Sequence, residues 1–447
     1  MTTIETIATE IEKALCNQPM LDVHTHIDAG HLSARGLHDV LLYHMVISDL
    51  YAAGCPSGQR MSEWPDEAEA HSRLVEAVPF LPKIQNTSCY WGVRIILRDL
   101  YGWEEPLTPE NWQRADAIIR KRSGDAAWPR QIMDRAGVRR IGAELGRRGD
   151  GSADDIMQYA VESAFFTRVQ QGQNDAPLYE LERTWDCDKL PPPISINLDA
   201  ATRPRPPKTI RSAKDARLAM GHYCALMPFG KVLSTAQHIS TDIHYRLVTD
   251  QEMDAAVSRR DCATVADRDT YASFLLDLFL AALSKHSHEF VYQFSLGAEP
   301  LPFETASRVS QRTIAQLADI LQRYPKLRFM CFVSSRHANQ SLCTMARELP
   351  NLSLAGYWWH NFFPDAIRQV MNERLDMLPT NKQVGFFSDA YCMDWLYAKA
   401  VIVRKQLAWV LAGKVAQGQY DVKAALSIAE AILLKTPQEL LGMTIYG

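Results

Sequence analysis

The chain has 447 residues, 47% of them hydrophobic and 22% charged, with a net charge of −4 at neutral pH. Those proportions supply ample material for a core and exclude a disordered or fibrous chain. Charges of both signs are interspersed and no run of about eighteen apolar residues occurs, which argues against nucleic-acid and membrane partners and for a small-molecule substrate. The nine cysteines, an odd number without a Cys-x-x-Cys, predict reduced thiols and a cytoplasmic location instead of a disulfide framework. Met1-Thr2-Thr3-Ile4-Glu5 carries an acid where a signal peptide would be basic and then apolar, so the chain reads as neither exported nor membrane-spanning. Assembly as a homo-oligomer stays open.

A first helix is expected over Ile4 to Ala14. It is followed by Leu21-Asp22-Val23-His24-Thr25-His26, a short apolar strand closing on two histidines one residue apart. Side chains two positions apart on a strand share a face, so His24 and His26 can project together, as a divalent metal requires. The second such pair, His286-Ser287-His288, lies between Lys285 and Glu289 at the end of a helical run, where a solvated surface is the better reading. Residues 28–130 show helical periodicities, such as Gly36 to Ala52 and Asn111 to Lys121, punctuated by Trp64, Trp91, Trp103 and prolines. This segment is predicted to be a helical insertion after strand one, with its tryptophans packing the core.

Strands then recur with helices between them: Val138–Ala143, Ile194–Leu198 behind three prolines, Val232–Ala236, Phe290–Phe294, Leu327–Val333, Leu352–Ala355 and Val384–Ser388. With the histidine strand these make eight. Short apolar runs without strict alternation indicate a parallel sheet covered on both faces. The predicted fold class is α/β, a (β/α)8 TIM barrel built from residues 1–27 and 131–447, with a doubly wound open sheet as the alternative. No Gly-rich phosphate loop follows the first strand, which counts against a dinucleotide fold.

Such barrels place their chemistry at the carboxyl ends of the strands. The residues there are His24, His26, Glu144, Asn197, Asp199, Gln237, His238, Ser295, Arg336, His337, Trp358, Trp359 and Asp389. Asp389 stands out, because an apolar strand would bury its carboxylate unless a partner meets it. Its alternative role is to cap the helix beginning near Met393. Trp358 and Trp359 are candidate pocket walls, or core.

A barrel that opens with His-x-His and closes with Asp on strand eight resembles the amidohydrolase superfamily, and within it the chain looks like a divergent uronate isomerase. Gly356-Tyr357-Trp358-Trp359-His360-Asn361, followed by Val384-Gly385-Phe386-Phe387-Ser388-Asp389, is similar to that family's Trp-Trp-Phe-Asn-Asp segment and its Val-Gly-Met-Leu-Thr-Asp strand. Further matches are Tyr90-Trp91, His44 ahead of Gly54, and Gln293-Phe294-Ser295-Leu296-Gly297-Ala298, similar to Gln-Leu-His-Ile-Gly-Ala. The resemblance implies a sugar-acid isomerase with His44, Asn197, Arg203, Trp358 and Trp359 toward substrate. Several positions depart from it. Ser295 stands for a histidine, Ala390-Tyr391 for Ser-Arg, and Asn197-Leu198-Asp199 for Arg-Pro-Asp, with Arg203-Pro204 as a shifted equivalent. Gln237-His238 stands for Asp-His, or Asp242 does if the loop is realigned. Each arginine lost is a lost bidentate grip on a carboxylate.

His24, His26 and Asp389 as ligands call for one divalent metal, zinc first, with manganese or iron as alternatives. Lys231 starts strand four instead of ending it, so a second metal bridged by a modified lysine is not expected. Three functions follow. An aldose–ketose isomerase would use His238 or Asp242 to carry a proton between adjacent carbons, helped by Tyr391 or Arg336. A metal-dependent hydrolase of an amide, ester or lactone would use Asp389 to take a proton from water. An inert barrel would only bind a sugar acid.

Overall fold

Eight strands form one sheet in sequential order: Met20–Thr25 (β1), Val138–Glu144 (β2), Met157–Glu162 (β3), Val232–Ile239 (β4), Val291–Leu296 (β5), Arg328–Val333 (β6), Leu352–Ala355 (β7) and Gln383–Val384 (β8). All seven neighbouring pairs are parallel. The computed structural model describes residues 3–56, 67–162, 173–183, 208–227, 232–286, 290–297, 309–357, 362–443 and 445.

Parallel neighbours need a crossover between them, and helices supply it. Val265–Leu283 precedes β5, Gln311–Arg323 precedes β6, Arg336–Glu348 precedes β7, Pro364–Met377 precedes β8, and Met393–Ala416 follows it. Gln311–Arg323 shows why such segments are helical. The Ser310 hydroxyl caps its start by accepting from the Thr313 N–H, and Ile314, Leu317, Ile320 and Leu321 form one buried stripe. Tyr324-Pro325 ends it, since proline cannot continue the hydrogen-bond ladder.

Both faces of the sheet are apolar. Tyr292, Phe294, Leu296, Phe329, Cys331 and Val333 join the large cluster shared with the helices. Their alternates Val291, Met330 and Phe332 join a second cluster with Leu21, Val23, Ala355, Val384 and Phe387, to which Leu434, Leu441 and Met443 near the C-terminus also belong. This is why the strands read as continuous apolar runs. The curled sheet brings its first and last strands together. The Asp389 N–H donates to the His24 carbonyl at 3.0 Å and the His26 N–H to the Ala390 carbonyl at 2.8 Å.

Between β1 and β2 the described residues form six α-helices, from Leu37–Leu41 to Trp128–Ala136, and no strand. Trp103 is buried among them, Trp91 packs against the same cluster, and Trp64 lies outside the described residues. Among the described residues no helix is long and apolar enough to cross a membrane, and the described cysteines are free thiols.

Two strand expectations need correction. The third strand is Met157–Glu162, which pairs directly with both β2 and β4 and leaves no place between them for Ile194–Leu198; that stretch lies outside the described residues. The last strand is only Gln383–Val384, because the backbone beyond it finds other partners. The Gly385 N–H donates to the Ile432 carbonyl at 2.7 Å and the Ser388 N–H to the Asp22 carboxylate at 2.9 Å.

Candidate metal centre

Three side chains from the two ends of the sheet meet at the carboxyl ends of the strands. Asp389 Oδ1 lies 3.2 Å from His26 Nε2 and 3.7 Å from His24 Nε2, and the imidazole centroids are 5.0 Å apart at 83°. The path to this geometry differs from a regular strand. The pairing of β1 with β2 shifts register between Asp22 and Thr25, and His26 falls just past the strand. Gly142 on β2 makes the irregularity possible, since a Cβ there would come within 2.6 Å of the Val23 carbonyl oxygen.

Asp389 has φ +54°, and among the described residues no other non-glycine residue has a positive φ. Aspartate tolerates this region better than most residues, but it still stores strain that surrounding contacts must offset. Those contacts are present. Besides its N–H bond to His24, the Asp389 carbonyl accepts from the Tyr43 hydroxyl at 2.8 Å and from Lys399 Nζ at 3.5 Å. Lys399 Nζ also donates to Tyr43 Oη at 2.8 Å and to the Ser388 carbonyl. Asp389 does not cap the following helix, whose N-cap position is Cys392.

Burial lowers the His24 pKa to about 4, so its ring is neutral near pH 7 and can donate a lone pair. Burial pulls His26 the same way, but the Glu144 and Asp389 carboxylates outweigh it and carry His26 well above its ordinary value. Burial would raise Asp389 and Glu144, yet His26 beside each of them, with Lys399 and Arg147, holds both well below the usual carboxylate range. His26 meets a carboxylate at each ring nitrogen, Glu144 at Nδ1 and Asp389 at Nε2, and the Nε2 side is where the candidate ligand atoms converge. The donor set fits one divalent ion: ligand atoms at about 2.0–2.1 Å from a tetrahedral zinc would stand about 3.3 Å apart, close to the 3.2 and 3.7 Å observed.

Around these three stands a second ring. Glu144, the last residue of β2, sets one oxygen 2.6 Å from His26 Nδ1 and accepts from Arg147 Nε on the other at 2.9 Å. The carboxylate thus approaches the ring nitrogen opposite the candidate ligand atom, the side from which an outer carboxylate can orient a metal-bound histidine. Tyr391 stacks on His26 at 5.1 Å and 16°, with the Arg147 guanidinium 5.8 Å from its centroid. The His44 ring meets Tyr391 edge-on at 5.4 Å, and burial pushes the His44 pKa down to about 3. His238, near the end of β4, is half-buried and close enough for its charge to lower the pKa of His24.

Other expected residues lie apart. Asp242 is exposed beyond β4, its carbonyl accepting from Arg268 at 2.9 Å. Arg336 is exposed at the start of its helix and donates to Gln369 Oε1 at 3.2 Å. Asn197, Arg203, Trp358 and Trp359 lie outside the described residues, as do Ser287 and His288 of the second histidine pair. Sequence reasoning placed Glu144 at a strand end without giving it a role, and missed Tyr43, Arg147 and Lys399. It also missed Asp22, although a carboxylate within an apolar strand was a usable signal.

The chain is therefore a parallel α/β protein with a candidate one-metal centre at the carboxyl ends of its strands. Its fold is that of uronate isomerases. It matches a glucuronate isomerase from Caulobacter crescentus with a TM-score of 0.76 at 15% identity, covering 100% of this chain and 96% of that one. A uronate isomerase from Thermotoga maritima matches with a TM-score of 0.75 at 13% identity, covering 98% and 97%. A candidate metal-dependent hydrolase from Lactobacillus casei matches with a TM-score of 0.56 at 14% identity, covering 97% of each chain. No protein-family profile and no curated protein matches the sequence.

Proposed function

We propose that the chain is a uronate isomerase-like aldose–ketose isomerase, acting on a sugar acid or related carbohydrate at one divalent metal, with zinc first. Its frame is a (β/α)8 barrel of residues 1–27 and 131–447, with residues 28–130 as a helical insertion packed on it. The observation that carries this reading is the convergence of His24, His26 and Asp389 from opposite ends of the sheet in a fold shared over nearly the whole length with uronate isomerases. When bound, the ion would polarise the carbonyl and hydroxyl oxygens of an open-chain sugar.

The chain's own groups would do the rest. His24 stays neutral through burial, and His26 is oriented by Glu144. His238 moves the proton between adjacent carbons, a role that fits it better than the exposed Asp242. Tyr391 and His44 wall the pocket beside the ligands. Asn197, Arg203, Trp358 and Trp359 are assigned to substrate, and Arg336 to an accessory role. The test is incubation of metal-loaded protein with glucuronate and galacturonate. A ketose from either acid is expected, and full metal occupancy with no ketose from either would discard the isomerase.

A second reading, hydrolysis of an amide, ester or lactone, draws on Tyr391 and Ser295, which stand where the resemblance implies arginine and histidine, and on the likeness to the Lactobacillus casei protein. Asp389 would then accept a proton from the attacking water. A screen of lactones and amides tests it.

A further inference from the structure

The strand pair β4–β5 places His238 opposite Ser295. The Ser295 hydroxyl oxygen lies 2.7 Å from His238 Nδ1 and 3.2 Å from the Gln237 carbonyl oxygen. Ser295 and Gln237 are buried. A serine hydroxyl has one proton to give and lone pairs to receive with. The Gln237 carbonyl can only accept, so a hydroxyl that donates to it can serve His238 Nδ1 only as an acceptor. Nδ1 then carries the proton, and in the neutral ring Nε2 keeps its lone pair.

We infer that Ser295 is a positioning residue that locks His238 in the Nδ1–H tautomer, so that Nε2 is the basic atom of the ring. The inference rests on the isomerase reading only for its consequence, that His238 is the proton carrier. The tautomer itself rests on the β4–β5 contact alone, with the hydroxyl proton given to the Gln237 carbonyl. A carbonyl at the serine position would give the same tautomer but none of the hydroxyl's freedom to turn. An alanine would leave Nδ1 facing an apolar methyl group, and the ring would choose its tautomer by its other contacts. Strand pairing fixes the serine and the histidine side by side, so the lock is built into the sheet and not into a loop.

The measurement is the tautomer of His238, read from nitrogen chemical shifts in full-length protein carrying ring-labelled histidine, with His238→Asn used to assign its signals. Wild-type protein is expected to show a protonated Nδ1 and an unprotonated Nε2 at pH 8. Ser295→Ala should shift His238 toward the Nε2–H form and lower kcat on a turned-over uronate by about 10- to 100-fold with KM within about threefold. Ser295→Thr, which keeps the hydroxyl, should retain the tautomer. Metal content serves as the check on folding and should stay equal in all variants. An Nε2–H ring in wild type, or an unchanged tautomer in Ser295→Ala, overturns the inference. The expected tautomers without ketose formation from any uronate would uphold the lock and reject the isomerase reading.

Discussion

Replacing Glu144 with glutamine removes one negative charge from the candidate centre and leaves its shape intact. The carboxylate sits 2.6 Å from His26 Nδ1, and the two side chains are only 8% and 21% exposed, so solvent screens the pair weakly. Loss of such an outer partner typically lowers metal affinity by about 10- to 100-fold, or about 1.4 to 2.8 kcal/mol. The depth of burial argues for the upper half of that range, about 2.5 kcal/mol. The assay is competition between the protein and a chromogenic chelator for zinc at pH 7.5.

Arg147 supplies the control, because its guanidinium holds the other oxygen of the same carboxylate at 2.9 Å. Arg147→Ala removes a positive charge from beside the centre but leaves the Glu144–His26 contact in place, and should change zinc affinity by less than about threefold. Two results would refute the reasoning: Glu144→Gln within twofold of wild type, or Arg147→Ala as damaging as Glu144→Gln. The first would mean that His26 needs no outer carboxylate. The second would mean that the Arg147–Glu144 pair as a unit, and not the Glu144–His26 contact alone, governs affinity, since a pure net-charge effect would make Arg147→Ala bind zinc more tightly.

Lys399→Met should release the backbone of Asp389 from its clamp and weaken zinc binding by about tenfold in the same competition assay, while Tyr43→Phe, which removes two 2.8 Å hydrogen bonds, should cost about 2 kcal/mol of stability in urea unfolding. Gly356 has φ +50°, and a Cβ there would lie 2.0 Å from the Phe387 ring, so Gly356→Ala should destabilise the protein by about 2–4 kcal/mol in the same measurement. In protein stripped of metal, His26 is raised by its carboxylates, so its contribution to stability is present below pH 6.5 and is lost as pH rises through its folded value. Asp389 and Glu144 are depressed, so theirs is present above pH about 4.5 and is lost on acidification through their folded values. Thermal midpoints of stripped protein should accordingly peak between pH 5 and 6.5, about where both contributions are present, and Glu144→Gln should flatten the alkaline side.

The sequence made the ends of the site legible and hid its support. His24, His26 and Asp389 could be found because imidazole and carboxylate groups at the carboxyl end of an apolar strand are costly to bury unless they meet a partner or a cation there. Lys399 could not, because it belongs to the helix Met393–Ala416, which is buried on nearly every side and has no apolar stripe against which a lysine would look misplaced. Only its placement against the Ser388 carbonyl and the Tyr43 hydroxyl gives it a role. β3 was missed for a related reason. Met157-Gln158-Tyr159-Ala160-Val161-Glu162 owes its strand character to pairing on both edges, which local composition does not report, whereas Ile194–Leu198 has the β-branched residues that favour a strand in isolation.

The position of the site also explains why the His-x-His pair at His24 and His26 could be a ligand pair. A pair on a strand brings two donors, and a third must come from a distant part of the chain at a fixed spacing. Here the bond from the Asp389 N–H to the His24 carbonyl joins the end of β8 to β1, and the same bond sets the distance between the Asp389 carboxylate and both rings. Joining the sheet's edges and assembling the donors are one event. The strained φ at Asp389 is what turns its carboxylate across that join, and Lys399 and Tyr43 hold it there from the far side. Of the second pair only His286 is among the described residues, at the end of the short helical turn Ser284–His286 that precedes β5, at the opposite end of that strand from the site. The seam between β8 and β1 lies at the other end of the strands, so His286 gains no donor from it.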